Sequence, residues 1–196
     1  MIRAKSAVWL TLLMFVAFVV SAHANSILDQ NNPPDNVGLN DQLEWQQQIT
    51  VGLAGELSGI TLYTNSGTDN DLVRIGVGSA PFTGNWAFQA NVGINSGGTF
   101  IDTSSANIIL NQGDFFTIDV SGGPGCCNLA GSIIPYSGGD LYLDLNGQFT
   151  DYTALFGYSM AFQTYMNTDV PEPGTLVFMG TGVLGLAGLL RRKINL

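Results

Sequence analysis

The sequence predicts an all-β fold, a two-sheet antiparallel sandwich with jelly-roll connections, on the basis of three observations. First, apolar and polar residues alternate over short runs such as residues 115–120 and 140–146, as they do in half-buried strands. Second, Gly, Asn, Asp and Ser cluster between these runs, where turns need them. Third, no segment between the two chain ends keeps the period of an amphipathic helix. About eight to ten short strands joined by such turns are typical of a sandwich.

Residues 1–24 have the three parts of a secretory signal peptide. Arg3 and Lys5 supply positive charge, residues 7–20 are largely apolar, and residues 22–24 form the Ala-His-Ala pattern that signal peptidase cleaves. An uncleaved signal anchor is the alternative, but the apolar run is short for a membrane span. We therefore predict an N-terminal signal helix that signal peptidase removes.

Residues 25–169 form the predicted sandwich domain, in which the Asn- and Pro-rich residues 31–36 are expected to be an extended or disordered lead-in. The domain carries fourteen acidic side chains against a single cation, Arg74, which gives it a formal charge of −13. A nucleic-acid interface needs clustered basic side chains. The composition therefore excludes nucleic acid as a partner.

The composition also limits the chemistry of the domain. The one histidine of the chain, His23, lies in the predicted signal peptide, and residues 25–169 contain no lysine. This excludes Ser-His-Asp and Cys-His catalysis, lysine Schiff bases and histidine-ligated metal sites. A pair of carboxyl groups, as in glycosidases, is the remaining alternative, and no motif marks such a pair. We predict no catalytic residues and a protein that is not an enzyme.

One cluster of oxygen-bearing side chains is a candidate metal site. Asp69, Asn70 and Asp71 follow a predicted strand and are expected to occupy a turn. Two carboxylates and an amide oxygen suit Ca²⁺, which binds six to eight oxygen ligands. The alternative is ordinary turn chemistry, because Asp and Asn hydrogen-bond to their own backbone in turns. Calcium is the one cofactor that the sequence suggests.

The two cysteines of the chain, Cys126 and Cys127, are adjacent and follow a Gly-rich run. An exported protein meets an oxidising environment, which favours disulfide formation. Adjacent cysteines pair only through a strained ring at a sharp turn. A disulfide between the two, two free thiols and a bond to another chain are the three alternatives.

An apolar run of 17 residues, 174–190, predicts a transmembrane helix near the C-terminal end. At 1.5 Å per residue the helix is about 25 Å long, close to the ~30 Å hydrocarbon core of a bilayer. The run is followed directly by three cations: Arg191, Arg192 and Lys193. Under the positive-inside rule this basic cluster stops transfer and stays in the cytoplasm.

Pro171, Glu172 and Pro173 precede this helix, and the prolines keep the segment extended. Together with the helix and the basic cluster, the tripeptide resembles the PEP-CTERM sorting signal of exported proteins of Gram-negative bacteria. The resemblance covers about residues 170–193 and makes residues 170–196 the sorting segment. It implies a precursor anchored in the inner membrane, a sorting motif recognised by an exosortase, and delivery to the cell surface or extracellular matrix.

The sequence therefore predicts an exported, non-enzymatic surface or matrix protein that an exosortase processes. The domain is also loosely similar to carbohydrate-binding-like jelly rolls, through residues 47–51, 57–60, 136–139 and 161–165. This similarity implies an alternative function, a carbohydrate- or calcium-binding module with exopolysaccharide as a partner. Aromatic side chains that could stack on sugars are Trp45, Trp86, Tyr63, Tyr136, Tyr142 and Tyr152.

Overall fold

The structure is a computed structural model that describes residues 26–122 and 127–168. These residues form fourteen strands, a 3₁₀ turn at Ser104–Ala106 and a short helix, α1, at Tyr152–Phe156. The strands are β1 Ser26–Asn32, β2 Val37–Leu39, β3 Glu44–Thr50, β4 Gly55–Leu62, β5 Thr68–Val77, β6 Phe88–Asn95, β7 Thr99–Asp102, β8 Ile109–Leu110, β9 Phe115–Gly122, β10 Leu129–Ser132, β11 Leu141–Asp144, β12 Phe149–Asp151, β13 Ser159–Met160 and β14 Phe162–Asn167. The number exceeds the predicted eight to ten because several strands span only two to four residues.

The strands assemble into three antiparallel sheets. The largest has the order β12-β11-β3-β9-β5-β6, the second has the order β1-β14-β4-β7 with β8 also on β4, and the third has the order β13-β10-β2. The all-β prediction is confirmed, and the antiparallel sheets are consistent with a sandwich. The jelly-roll connections stay a prediction.

Apolar side chains from both larger sheets form a single core. Phe116 and Ile118 of β9 are fully buried, as are Ile60 of β4 and Phe162 of β14, and all four belong to one cluster. Removing a side chain of this size from water stabilises the fold by about 1.5–3 kcal/mol. The core-facing rows follow from the alternation in the sequence.

The N-terminal strand is more ordered than the sequence suggests. The predicted lead-in begins at Asn31, but β1 extends to Asn32 and pairs with β14. The buried Asn32 side chain donates to Ser159 Oγ at 2.9 Å and also bonds to the Met160 carbonyl. The prediction is therefore wrong for the first two residues of that segment.

The six-stranded sheet is also buried on part of its second face. Thr117 and Asp119 of β9 point away from the core, yet neither is exposed. The loop between β5 and β6 covers them. The loop is held by Gln46 of β3, which accepts from the Phe82 backbone N–H at 2.7 Å and donates to the Phe82 carbonyl at 3.1 Å. A buried polar layer results, because these hydrogen bonds offset the loss of water.

Gln47 of β3 joins three segments on the core side of the same sheet, and its side chain is fully buried. Its Oε1 accepts from the Met160 N–H at 2.9 Å, and its Nε2 donates to the carbonyl oxygens of Gly139 at 3.1 Å and Gln48 at 3.0 Å. A substitution that removes the amide leaves buried backbone groups without partners.

We expect Gln47→Leu to lower the free energy of unfolding of residues 25–169 by about 2 kcal/mol, because an orphaned buried polar group is unfavourable. Urea denaturation measures the change. Gln48→Leu is the matched control, since Gln48 is half-buried on the opposite face of the same strand, and should change stability by less than about 0.5 kcal/mol. Equal losses for the two variants would contradict the role of Gln47.

Candidate functional site

The three residues of the predicted calcium site lie in β5 and not in a turn. Successive side chains of a strand point to opposite faces. Asp69 and Asp71 are buried, at 7% and 1% exposure, whereas Asn70 is exposed. The two carboxyl groups extend the core-facing row of Val73 and Ile75. The predicted turn is wrong, and the Asn70 side chain faces away from the two carboxyl groups.

Asp41, in the turn between β2 and β3, places a third carboxyl group near those of Asp69 and Asp71. The turn is fixed by Asn40, whose carbonyl accepts from the Trp45 indole N–H at 2.7 Å and whose Oδ1 accepts from the Gln42 N–H at 3.0 Å. Asp41 is 6% exposed. Its carboxyl group lies close enough to that of Asp69 for the two to interact.

Gly122 of β9 lies directly opposite Asp71 in the sheet. Because it has no side chain, Gly122 leaves room for the three carboxyl groups. A Cβ atom on Gly122 would lie 2.0 Å from the Asp41 carbonyl oxygen and 2.8 Å from Asp71 Oδ1. The two oxygens therefore lie close to one another, beside a residue that has no side chain. The turn after β2 and strand β5 thus form an acidic cluster beside Gly122, which consists of Asp41, Asp69 and Asp71.

The acidic cluster lacks compensation for its charge. Burial, with the nearby charges of Asp69 and Asp41, raises the pKa of Asp71 to about 6. Burial also raises the pKa of Asp41, whereas the hydrogen bond from Asp41 lowers the pKa of Asp69. Within the described ranges, four buried oxygens of the cluster have no hydrogen-bond partner: Asp41 Oδ2, Asp69 Oδ2 and both carboxyl oxygens of Asp71.

Cys127 lies beside the acidic cluster. Its backbone N–H donates to the carboxyl groups of Asp41 and Asp69, which favours their ionised forms. Cys127 is 4% exposed and disulfide-bonded. The chain has one other cysteine, Cys126, which lies outside the described residues. A disulfide between these two adjacent residues stays a prediction.

Arg74 is the one Lys or Arg among the described residues, and it lies on the opposite face of β5. Its Nε donates to Asp119 Oδ1 at 2.8 Å and its Nη2 donates to Glu44 Oε1 at 2.6 Å. The guanidinium carbon lies 4.6 Å from the centroid of the Trp86 ring. Burial and the nearby Glu44 raise the pKa of Asp119 to about 7, while Arg74 acts in the opposite direction.

Two of the aromatic side chains that could form a sugar platform, Trp45 and Trp86, pack against other side chains. Trp45 is 3% exposed and packs edge-on against Tyr152, with ring centroids 4.9 Å apart. Trp86 is half-buried between Arg74 and Phe82, whose ring centroid lies 4.9 Å away. A glycan-binding role for these rings stays a prediction.

The terminal sites lie outside the described residues. They are the signal peptide, the motif Pro171, Glu172 and Pro173, the apolar run 174–190 and the basic cluster Arg191, Arg192 and Lys193. In the part of the chain that the structure describes, no helix is long and apolar enough to cross a membrane. In that same part, no three His, Cys, Asp or Glu side chains are positioned to hold a metal ion as they stand.

Residues 169–193 match the family model of the PEP-CTERM protein-sorting motif. The match confirms the resemblance found in the sequence: residues 169–193 carry a PEP-CTERM protein-sorting motif. The motif indicates an exported protein with a membrane-anchored C-terminal sorting signal. No curated protein and no solved structure matches the chain.

Replacing Arg74 with Met should destabilise the domain more at pH 8 than at pH 5. Because the folded pKa of Asp119 is raised above its unfolded value of about 3.9, its contribution to stability is complete below that value and is lost as the pH rises through about 7. Without Arg74, an ionised Asp119 is buried without its cation. We expect losses of about 3 kcal/mol at pH 8 and about 1 kcal/mol at pH 5, measured by urea denaturation.

The double variant Arg74→Met/Asp119→Asn is the control for this experiment. An amide keeps the shape of the carboxyl group but does not titrate, so the loss caused by Arg74→Met, measured against the single variant Asp119→Asn, should be nearly equal at the two pH values. If the single variant also loses the same stability at both pH values, the raised pKa of Asp119 is wrong.

Proposed function

We propose that this chain is an exported, non-enzymatic protein of the cell surface or extracellular matrix. An inner-membrane anchor, residues 174–190, holds it until an exosortase cuts the chain in the region of Pro171, Glu172 and Pro173. The match of residues 169–193 to the PEP-CTERM motif is the observation that carries this function.

The register of the five-stranded sheet supports attachment to the membrane from one end of the domain. Ser26, at the start of β1, pairs with Asn167, at the end of β14. The predicted signal peptide and the sorting segment are therefore joined to neighbouring strand ends. Three residues separate Asn167 from Pro171, a reach of roughly 10–14 Å when extended. The domain accordingly stays close to the membrane until cleavage.

The acidic pairs support a non-enzymatic role. A glycosidase needs two carboxyl groups roughly 5–10 Å apart that reach a substrate. Asp119 shares Arg74 with Glu44 but is fully buried, so a sugar has no access to it. Asp41 and Asp69 are also buried, at 6% and 7% exposure, so a sugar has little access to them. The absence of histidine and lysine from residues 25–169 also supports a non-enzymatic role.

Processing is tested by mass spectrometry of the protein from its native host. We expect the released protein to lack residues 1–24 and the basic cluster. Replacing Pro171 and Glu172 with Ala should keep the full C-terminal segment in the membrane fraction, because the exosortase no longer recognises it.

Asp144→Asn is the control, since it removes a carboxylate of β11, outside residues 169–193, and leaves the whole sorting motif intact. This variant should be processed normally. A released protein that still carries Arg191, Arg192 and Lys193 would contradict the proposed function.

A further inference from the structure

We propose that the acidic cluster of Asp41, Asp69 and Asp71 binds one divalent cation, Ca²⁺ by its chemistry. The site is independent of the sorting signal and goes beyond the export function. It differs from the turn site that the sequence suggests, because Asp41 replaces Asn70 as the third ligand-bearing residue.

The first observation is the burial of Asp71. It is 1% exposed, it lies on the core-facing side of β5, and neither of its carboxyl oxygens has a hydrogen-bond partner. A buried carboxylate without a partner is strongly unfavourable in a protein interior. A structure that places one there needs a compensating positive charge.

The second observation is that the other two carboxyl groups of the cluster lie against one another. The carboxyl groups of Asp41 and Asp69 interact closely, yet each of them also has a buried oxygen without a hydrogen-bond partner. The two carboxyl oxygens of Asp71 are without partners as well. A divalent cation neutralises the pair and attracts the third carboxylate as well.

The third observation is that the chain supplies no positive side chain here. Arg74 is the one Lys or Arg among the described residues, and its guanidinium group is bonded to Glu44 and Asp119 on the other face of the sheet. The compensating charge therefore has to come from solution. A domain with a formal charge of −13 concentrates cations around it.

The donor atoms select a hard cation. The cluster offers carboxyl oxygens, and the Asp41 carbonyl oxygen lies beside Asp71 Oδ1 at Gly122. Such oxygen sets suit Ca²⁺, which accepts irregular geometry and completes its six to eight ligands with water, whereas Mg²⁺ demands a near-ideal octahedron. The three side chains do not converge on one point as they stand. The ion lies between Asp41 and Asp69, and Asp71 turns toward it on binding.

Binding is tested on the full-length chain in detergent, stripped with EDTA and titrated with CaCl₂. Calorimetry should show one saturable site with a Kd of about 1 mM or tighter, the range of extracellular calcium modules. The melting temperature should rise by about 5 °C at saturation. MgCl₂ at equal ionic strength should give a much smaller shift, which separates binding from screening of the acidic surface.

Two variants and a control complete the test. Asp69→Asn and Asp71→Asn should abolish the Ca²⁺ response, and in EDTA Asp71→Asn should melt at a higher temperature than the natural chain, because it removes an uncompensated charge. Asp144→Asn, which changes an acidic residue in β11, should keep the full response.

The proposal is overturned if the folded chain gives no saturable Ca²⁺ heat, if Ca²⁺ and Mg²⁺ shift the melting temperature equally, or if Asp71→Asn retains the response. It is also overturned if Asp71→Asn is destabilised in EDTA, since a purely structural carboxyl group would behave in that way. None of these outcomes depends on whether an exosortase cleaves the chain.

Discussion

The presence or absence of a nearby positively charged side chain determines how the buried carboxyl groups of this domain are stabilised. Arg74 lies on β5, next to β9, where its guanidinium group contacts both Glu44 and the fully buried Asp119. The Trp86 ring covers its outer side. Because an arginine presents several donors in a fixed plane, one residue can hold two carboxyl groups at once. On that face of the six-stranded sheet, the two carboxyl groups are therefore paired with a cationic side chain of the protein itself.

The core-facing side of the same strand has no such residue. Asp69 and Asp71 continue a row that is otherwise apolar, and Asp41 approaches them from the neighbouring turn. Gly122 permits this approach because a Cβ atom would collide with the Asp41 carbonyl. The backbone thus admits three carboxyl groups into a space where the described residues provide no counter-charge. One face of the strand has an internal cation, and for the other face we propose an ion from solution.

The alternation of apolar residues was sufficient to predict the β fold and the core rows of β9, since a strand buries every second side chain. It failed at Asp69 and Asp71, because acidic residues beside Asn favour a turn and rarely occupy core-facing positions. Asp41 could not be found from spacing, since two strands, β3 and β4, separate it from Asp69 in the sequence and the two residues meet only in the fold. The loop over Asp119 was missed for a related reason, because it has no strand pattern of its own.

The terminal sorting signal could be predicted almost completely, because it is a linear pattern that a processing enzyme reads along the chain. The chemistry of the folded domain is harder to predict from the sequence, since it depends on residues that meet only in three dimensions. The pairing of Ser26 with Asn167 connects the two parts, because it brings the first and last strands of the described domain together at one side, next to the segment that carries the sorting motif.

The central claim is that an ion from solution completes the acidic cluster. A crystal structure of the processed protein grown with CaCl₂, with anomalous data collected at long wavelength, tests it most directly. The account predicts one anomalous peak between Asp41 and Asp69, with carboxyl oxygens about 2.3–2.6 Å away and Asp71 turned toward it. An empty cluster at saturating Ca²⁺, with no ordered ion beside Asp41, Asp69 and Asp71, would contradict it.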